Sequence, residues 1–316
     1  MVALSHKSKQ YGLIALKVLI LSLTFGYIYQ KLNSDSTIDL REFISAMDIR
    51  NTDRWAYWGL FLILATANWV FEILKWKTVV SRIQKITFGR AARQSLAAHT
   101  VSLATPNRIG DYGAKALYYP REKQKQILLV NFFSNFIQMG VTILLGILGF
   151  WLASQKIELP LATSKLIALV AVIIVLMVLG YFFKEKQLLV KGLSLTKITG
   201  YITALPNTVI SKTILYSFVR YAIFSFLFFL LLNYFGATIS AMEAFPIIFV
   251  MYLFVSVIPT LFVLDVVVRG GVSLWLFSQL GISELTILST VLVMWLLNFV
   301  IPAVWGSFYV ITFKRL

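Results

Sequence analysis

The chain has 316 residues, 59% hydrophobic and 15% aromatic, with only 13% charged and a mean hydropathy of +0.82. A soluble domain is about 45–50% apolar and about 25% charged, so composition points to an integral membrane protein and leaves no room for a large soluble domain. The net charge of +16 is the kind of value a nucleic-acid binder carries. Cations that flank apolar spans instead follow the positive-inside bias and meet anionic headgroups, so no nucleic-acid partner is expected. Cysteine is absent, which excludes disulfides and thiolate metal sites.

The basic residues 1–10 precede an apolar run without a small-residue cleavage pattern, so a first span over about 11–29 is expected to be an uncleaved anchor. A mixed-charge amphipathic piece follows, with Ser36 as N-cap and Leu40, Phe43, Ile44 and Met47 at helical spacing. A second span covers about 55–76 and is rich in tryptophan at its ends, as an interfacial belt requires. Residues 91–104 are helical in pattern but too short for a bilayer core, which takes about 20 residues. After residues 106–113 a second short piece runs to Tyr119, and cations flank both. The simplest arrangement is a re-entrant hairpin over 91–120.

A third span is expected over 127–153, with Asn131, Asn135 and Gln138 on one face, and a fourth over 165–183. A cation-rich connector leads to a fifth span over 214–235, which contains Arg220. Residues 241–258 and 262–280 again form two pieces around Pro259, a second hairpin over 241–280. The last span, 285–313, holds Asn298 and Pro302, where the proline removes a helix hydrogen bond and predicts a kink.

With the N-terminus cytoplasmic, the flanks on that side collect 18 cations, Lys75 among them, against 6 on the other. Only Lys17, Arg108, Lys115, Arg220 and Arg269 fall within the apolar layer. Both termini are therefore expected in the cytoplasm of a multi-pass inner-membrane protein. The fold expected is an all-α polytopic membrane protein with about six full spans plus two re-entrant helical hairpins. Residues 1–160 and 161–316 form two inverted-topology halves, as in many transporters.

The chemistry concentrates in the hairpins. Residues 103–115 contain Pro106, Arg108, Gly110, Asp111, Gly113 and Lys115, a composition lipid does not tolerate unless protein or a polar cavity surrounds it. Residues 259–271 repeat the order of proline, aspartate and a cation four residues later, with Asp265 and Arg269. Each acid and its cation form an i,i+4 pair that is either structural or substrate-binding. Arg108 is the strongest single candidate for a phosphate, because guanidinium grips phosphate in bidentate fashion. Arg220 needs a partner or a wet cavity, and Asp265 or Asp111 would serve as the partner. Asn68 and Glu72 share a face of the second span; such polar stripes, like that of Asn135, serve helix contacts or line a cavity. His99 has no second ligand for a metal and is expected to be a packed, satisfied imidazole. No catalytic motif, metal site or cofactor fingerprint is found.

The run Pro106-Asn107-Arg108-Ile109-Gly110-Asp111 resembles the proline-x-arginine-x-glycine-acid motif in the transmembrane region of bacterial lysylphosphatidylglycerol synthase/flippases, and the span pattern resembles that of their stand-alone relatives. In the second half the glycine-rich proline loop of that family is matched only loosely by Pro259, Asp265, Arg269, Gly270 and Gly271. The large members also carry a cytoplasmic aminoacyl-transferase domain, which these 316 residues do not contain. The resemblance implies movement of a charged-headgroup lipid between leaflets, with membrane phospholipids or polyprenyl-linked lipids as partners and room for a homo-oligomer. The other readings of the residues are an intramembrane enzyme with Asp111 as base, and a non-catalytic accessory subunit of cell-envelope synthesis.

Overall fold

The computed structural model describes residues 52–103, 105, 109–154, 195–258 and 262–313, and among them every regular element is helical. The predicted first and fourth spans, the amphipathic piece between the first two spans, and Arg108 lie outside these residues. The elements are α1 (Thr52–Val80), α2 (Phe88–Leu103), α3 (Gly110–Ala116), α4 (Arg121–Ala153), α5 (Leu195–Thr203), α6 (Asn207–Tyr234), α7 (Ala241–Val257), α8 (Phe262–Phe277), α9 (Glu284–Trp295) and α10 (Ile301–Ile311). Among the described residues four stretches are long and apolar enough to cross a membrane: Trp55–Val80, Arg121–Ala153, Asn207–Tyr234 and Glu284–Ile311. They coincide with the second, third, fifth and last predicted spans. The short pairs α2/α3 and α7/α8 fall where the two hairpins were expected, and within each pair the helices pack together.

The last span is where local chemistry departs from a simple proline kink. A π turn, Leu296–Val300, separates α9 from α10, and Pro302 is the second residue of α10. Proline has no N–H, so the carbonyl of Asn298 four residues earlier loses its helical donor. The indole N–H of Trp69 on α1 donates to that oxygen at 3.2 Å. The break is thus satisfied by a neighbouring helix, the usual way a membrane helix tolerates proline.

Three close pairings carry the packing: α1 with α6, α4 with α7, and α10 with α2. Lipid offers no hydrophobic force between helices, so small residues that allow backbones to approach decide such contacts. A Cβ at Gly149 of α4 would lie 2.6 Å from the Pro246 carbonyl and from Phe249 Cβ of α7. A Cβ at Gly306 of α10 would collide with the Leu96 carbonyl and the Thr100 hydroxyl of α2. Thr100 itself donates across that contact to the Ala303 carbonyl at 3.0 Å. Rings from both helices tie α1 to α6, and Trp58 donates to the Tyr234 hydroxyl at 3.0 Å.

Two apolar cores bracket a polar layer. Along α1 one core includes Phe61 and Ala65 and the other begins at Ile73, with Asn68 and Glu72 between them. Along α4 the second core reaches Phe133 and the first resumes at Val141, with Asn135 and Gln138 between them. Gly149→Leu is expected to lower the stability of the detergent-solubilised chain by roughly 2–3 kcal/mol through overpacking. Gly140→Ala, where an added Cβ meets nothing within 4 Å, should not lower it. Equal thermal unfolding midpoints for the two variants would contradict the α4–α7 contact.

Candidate functional site

The polar layer borders a half-open cavity of about 550 Å³ whose lining comes from both short helix pairs and from the spans between them. The first hairpin contributes Asp111 on α3, and the second contributes Asp265 and Arg269 on α8. Glu72 on α1, Asn135 on α4 and Arg220 on α6 add to the lining, with the amides of Asn68, Gln138 and Asn298. Six of the eight residues singled out from the sequence therefore meet at one site. Lys115 stands directly behind Asp111, and Arg108 lies outside the described residues.

The first pair is built by a short turn. Thr105 donates its hydroxyl to the Ser102 carbonyl at 2.9 Å and accepts the Gly110 N–H at 2.8 Å, which closes the end of α2 onto the start of α3. A side chain at residue 110 would sit 2.9 Å from both Thr105 Oγ1 and the Val101 carbonyl, so the close approach requires glycine. Asp111 then falls in the first turn of α3, where the helix dipole favours an acid. Its carboxylate meets Lys115 Nζ at 3.1 Å and accepts the Asn131 amide at 2.7 Å. Lys115 also donates to Asn131 Oδ1 at 3.1 Å and lies 4.7 Å from the centre of the Trp76 ring. One amide on α4 thus satisfies both charges.

The second pair has the same plan. Asp265, in the first turn of α8, accepts from Arg269 Nε at 2.8 Å and from its terminal nitrogen at 3.3 Å. The guanidinium lies 5.0 Å from the centre of the Phe299 ring, at the π turn. Each pair is therefore an acid with its i+4 cation, and another helix supplies an aromatic ring to the cation, Trp76 from α1 or Phe299 from the π turn.

Arg220 corrects the expected pairing. It binds neither Asp111 nor Asp265, whose carboxylates are taken by Lys115 and Arg269. It meets Glu72 Oε2 at 2.9 Å, because α6 packs on α1. Lys75, counted from the sequence among the flanking cations, is fully buried and meets the same Glu72 oxygen at 2.8 Å. Gln138 Oε1 accepts from both, at 3.2 Å from Lys75 and 3.4 Å from Arg220. The signal for Lys75 was its position three residues after Glu72, one turn inside the span end.

The amide stripes serve both roles. Asn68 donates to Asn298 at 2.9 Å and also lines the cavity. Asn131 holds a hairpin, while Asn135 faces the cavity. His99 is buried as expected, with its Nε2 donating to the Phe299 carbonyl at 3.2 Å and its ring edge-on to Trp69.

The arrangement is one of recognition: charged and amide groups on a cavity wall, with aromatic rings beneath the cations. A family description settles the lineage, since that of the lysylphosphatidylglycerol synthase TM region matches residues 14–306. The chain belongs to that family. Membership of the lysylphosphatidylglycerol synthase TM family relates the chain to membrane lipids. No curated protein matches the chain.

Asn131→Leu strips one hydrogen bond from each member of a buried ion pair, and should destabilise the chain by about 3 kcal/mol. Asn135→Ala should cost less than about 1 kcal/mol. Thermal unfolding of the purified variants in one detergent checks the contrast.

Proposed function

We propose that the chain is a lipid translocator, a flippase that moves a phosphate-bearing phospholipid or polyprenyl-linked lipid between the leaflets of the inner membrane. The observation that carries this reading is the meeting of both hairpins' acid–cation pairs on one polar cavity inside the membrane layer. A translocator needs a polar route for the headgroup, because moving charge through hydrocarbon is costly. Acyl chains need no such route and remain in lipid.

The helix pairings support the inverted-repeat architecture of residues 1–160 and 161–316. A two-fold operation that exchanges the halves maps α1 to α6, α2 to α7, α3 to α8, and α4 to α9 with α10. Under it the α4–α7 contact becomes the α10–α2 contact, and α1–α6 maps onto itself. Contacts of α2 with α3 and of α3 with α4 likewise have counterparts in α7 with α8 and α8 with α9. In this reading the hairpins enter from opposite sides, with both termini cytoplasmic. Arg108, Asp111 and Lys115 meet the headgroup from the cytoplasm, and Asp265 and Arg269 from the exterior. Arg220, Glu72 and Asn135 lie deeper. The basic connectors on the cytoplasmic side hold anionic lipid near the entrance.

The test is leaflet exchange of fluorescent phospholipids in proteoliposomes. Arg108→Ala, Asp111→Ala and Arg269→Ala, at matched folding, should each slow translocation at least about tenfold, the size expected for a lost charged contact. A folded native chain that moves no lipid in a panel of anionic, zwitterionic and polyprenyl-phosphate lipids would contradict the proposal.

A further inference from the structure

The three charged knots on the cavity are not equivalent. Asp111 with Lys115, and Asp265 with Arg269, are one acid to one cation. At the third knot a single carboxylate, Glu72, serves two cations, Lys75 and Arg220. The other group binding both cations is the neutral carbonyl of Gln138, so among the described residues this knot carries one uncompensated positive charge.

That excess sits where charge is expensive. Lys75 is wholly buried, and Arg220 lies midway along a membrane-length helix. A buried charge persists only when paired, hydrogen-bonded or given a counter-ion. Arg220 also retains capacity to bind, since its Nε is buried and has no hydrogen-bond partner. The neighbouring Tyr221, 5% exposed, likewise lines the cavity and has a hydroxyl without a partner. Guanidinium nitrogens and a hydroxyl around an excess positive charge are donors suited to the oxygens of a phosphate.

We infer that Arg220 forms a phosphate-binding subsite on the wall of the cavity, and that Lys75 is its positioning residue. Lys75 never touches the phosphate. It shares Glu72 with Arg220, so that Glu72 neutralises Arg220 only in part and the guanidinium keeps the charge that draws an anion. The inference rests on the translocator reading and deepens it: the two hairpin pairs are internally neutral, and the headgroup phosphate is held at Arg220. The chemistry fits the phosphate of a lipid and free inorganic phosphate alike.

Opposite signs for two neighbouring substitutions give the test. Binding to the full chain in detergent is measured by tryptophan fluorescence with three probes: dioctanoyl phosphatidic acid, inorganic phosphate, and uncharged dioctanoylglycerol as control. Arg220→Gln should weaken phosphatidic acid binding about tenfold or more, and Arg220→Lys should recover part of it. Lys75→Met, which leaves Glu72 wholly to Arg220, should also weaken binding. Glu72→Gln should tighten it, and the double change Glu72→Gln/Lys75→Met, which removes both charges together, should bind at least as well as native. Phosphatidic acid binding without inorganic phosphate binding assigns the subsite to a lipid, and equal binding assigns it to the free anion. Native-like binding by folded Arg220→Gln overturns the inference, as does Glu72→Gln weakening binding to the same degree as Lys75→Met. Should Arg220→Gln bind as native while lipid still moves, the inference alone fails. Should these signs hold while no lipid moves, the translocator reading alone fails.

Discussion

Charge buried in a low-dielectric layer has to be answered locally, and the interior of this protein is organised by how each answer is made. In water an ion pair at contact distance is a weak interaction, but within a membrane-spanning bundle leaving either partner alone is prohibitive. Lys115 and Arg269 are answered by the acids four residues before them. Arg220 has no acid at helical spacing on its own span and takes Glu72 from α1 instead. That requirement fixes which faces of α1 and α6 meet, and so locates the cavity between the hairpins.

Close approach of helices is the second constraint, and it supports the first. The glycines of α4 and α10 let α4 lie against α7 and α10 lie against α2. These contacts bring Asn131 to Asp111 and the π turn to His99 and Arg269. The Pro302 break exposes carbonyls at the level where the cavity needs polar walls, and Trp69 and His99 occupy the two at Asn298 and Phe299. Irregular backbone and polar side chains thus occur at the same depth, where protein and not lipid surrounds them.

Much of this was legible in the sequence because its signals are local. Apolar length marked the four spans seen among the described residues, short apolar runs marked the short helix pairs, and the i+4 spacing of Asp111 with Lys115 and of Asp265 with Arg269 gave their pairing. The partner of Arg220 was not legible, since it depends on which spans pack across the two halves. Lys75 was misplaced for a related reason: a cation near the end of an apolar run looks the same whether it reaches headgroups or turns inward. That the last span is irregular near Pro302 was foreseen, but the π turn was not, because it depends on donors supplied by α1 and α2.

The central claim is that one cavity, shared by the two halves, serves both faces of the membrane. The chain contains no cysteine, so Asn135→Cys introduces a single thiol on the cavity wall. The decisive measurement is its labelling by a membrane-impermeant maleimide in sealed proteoliposomes, applied separately to right-side-out and inside-out orientations. The account predicts labelling from both faces, reduced from each by an excess of short-chain phosphatidic acid. Labelling from one face alone, or from neither, would contradict it.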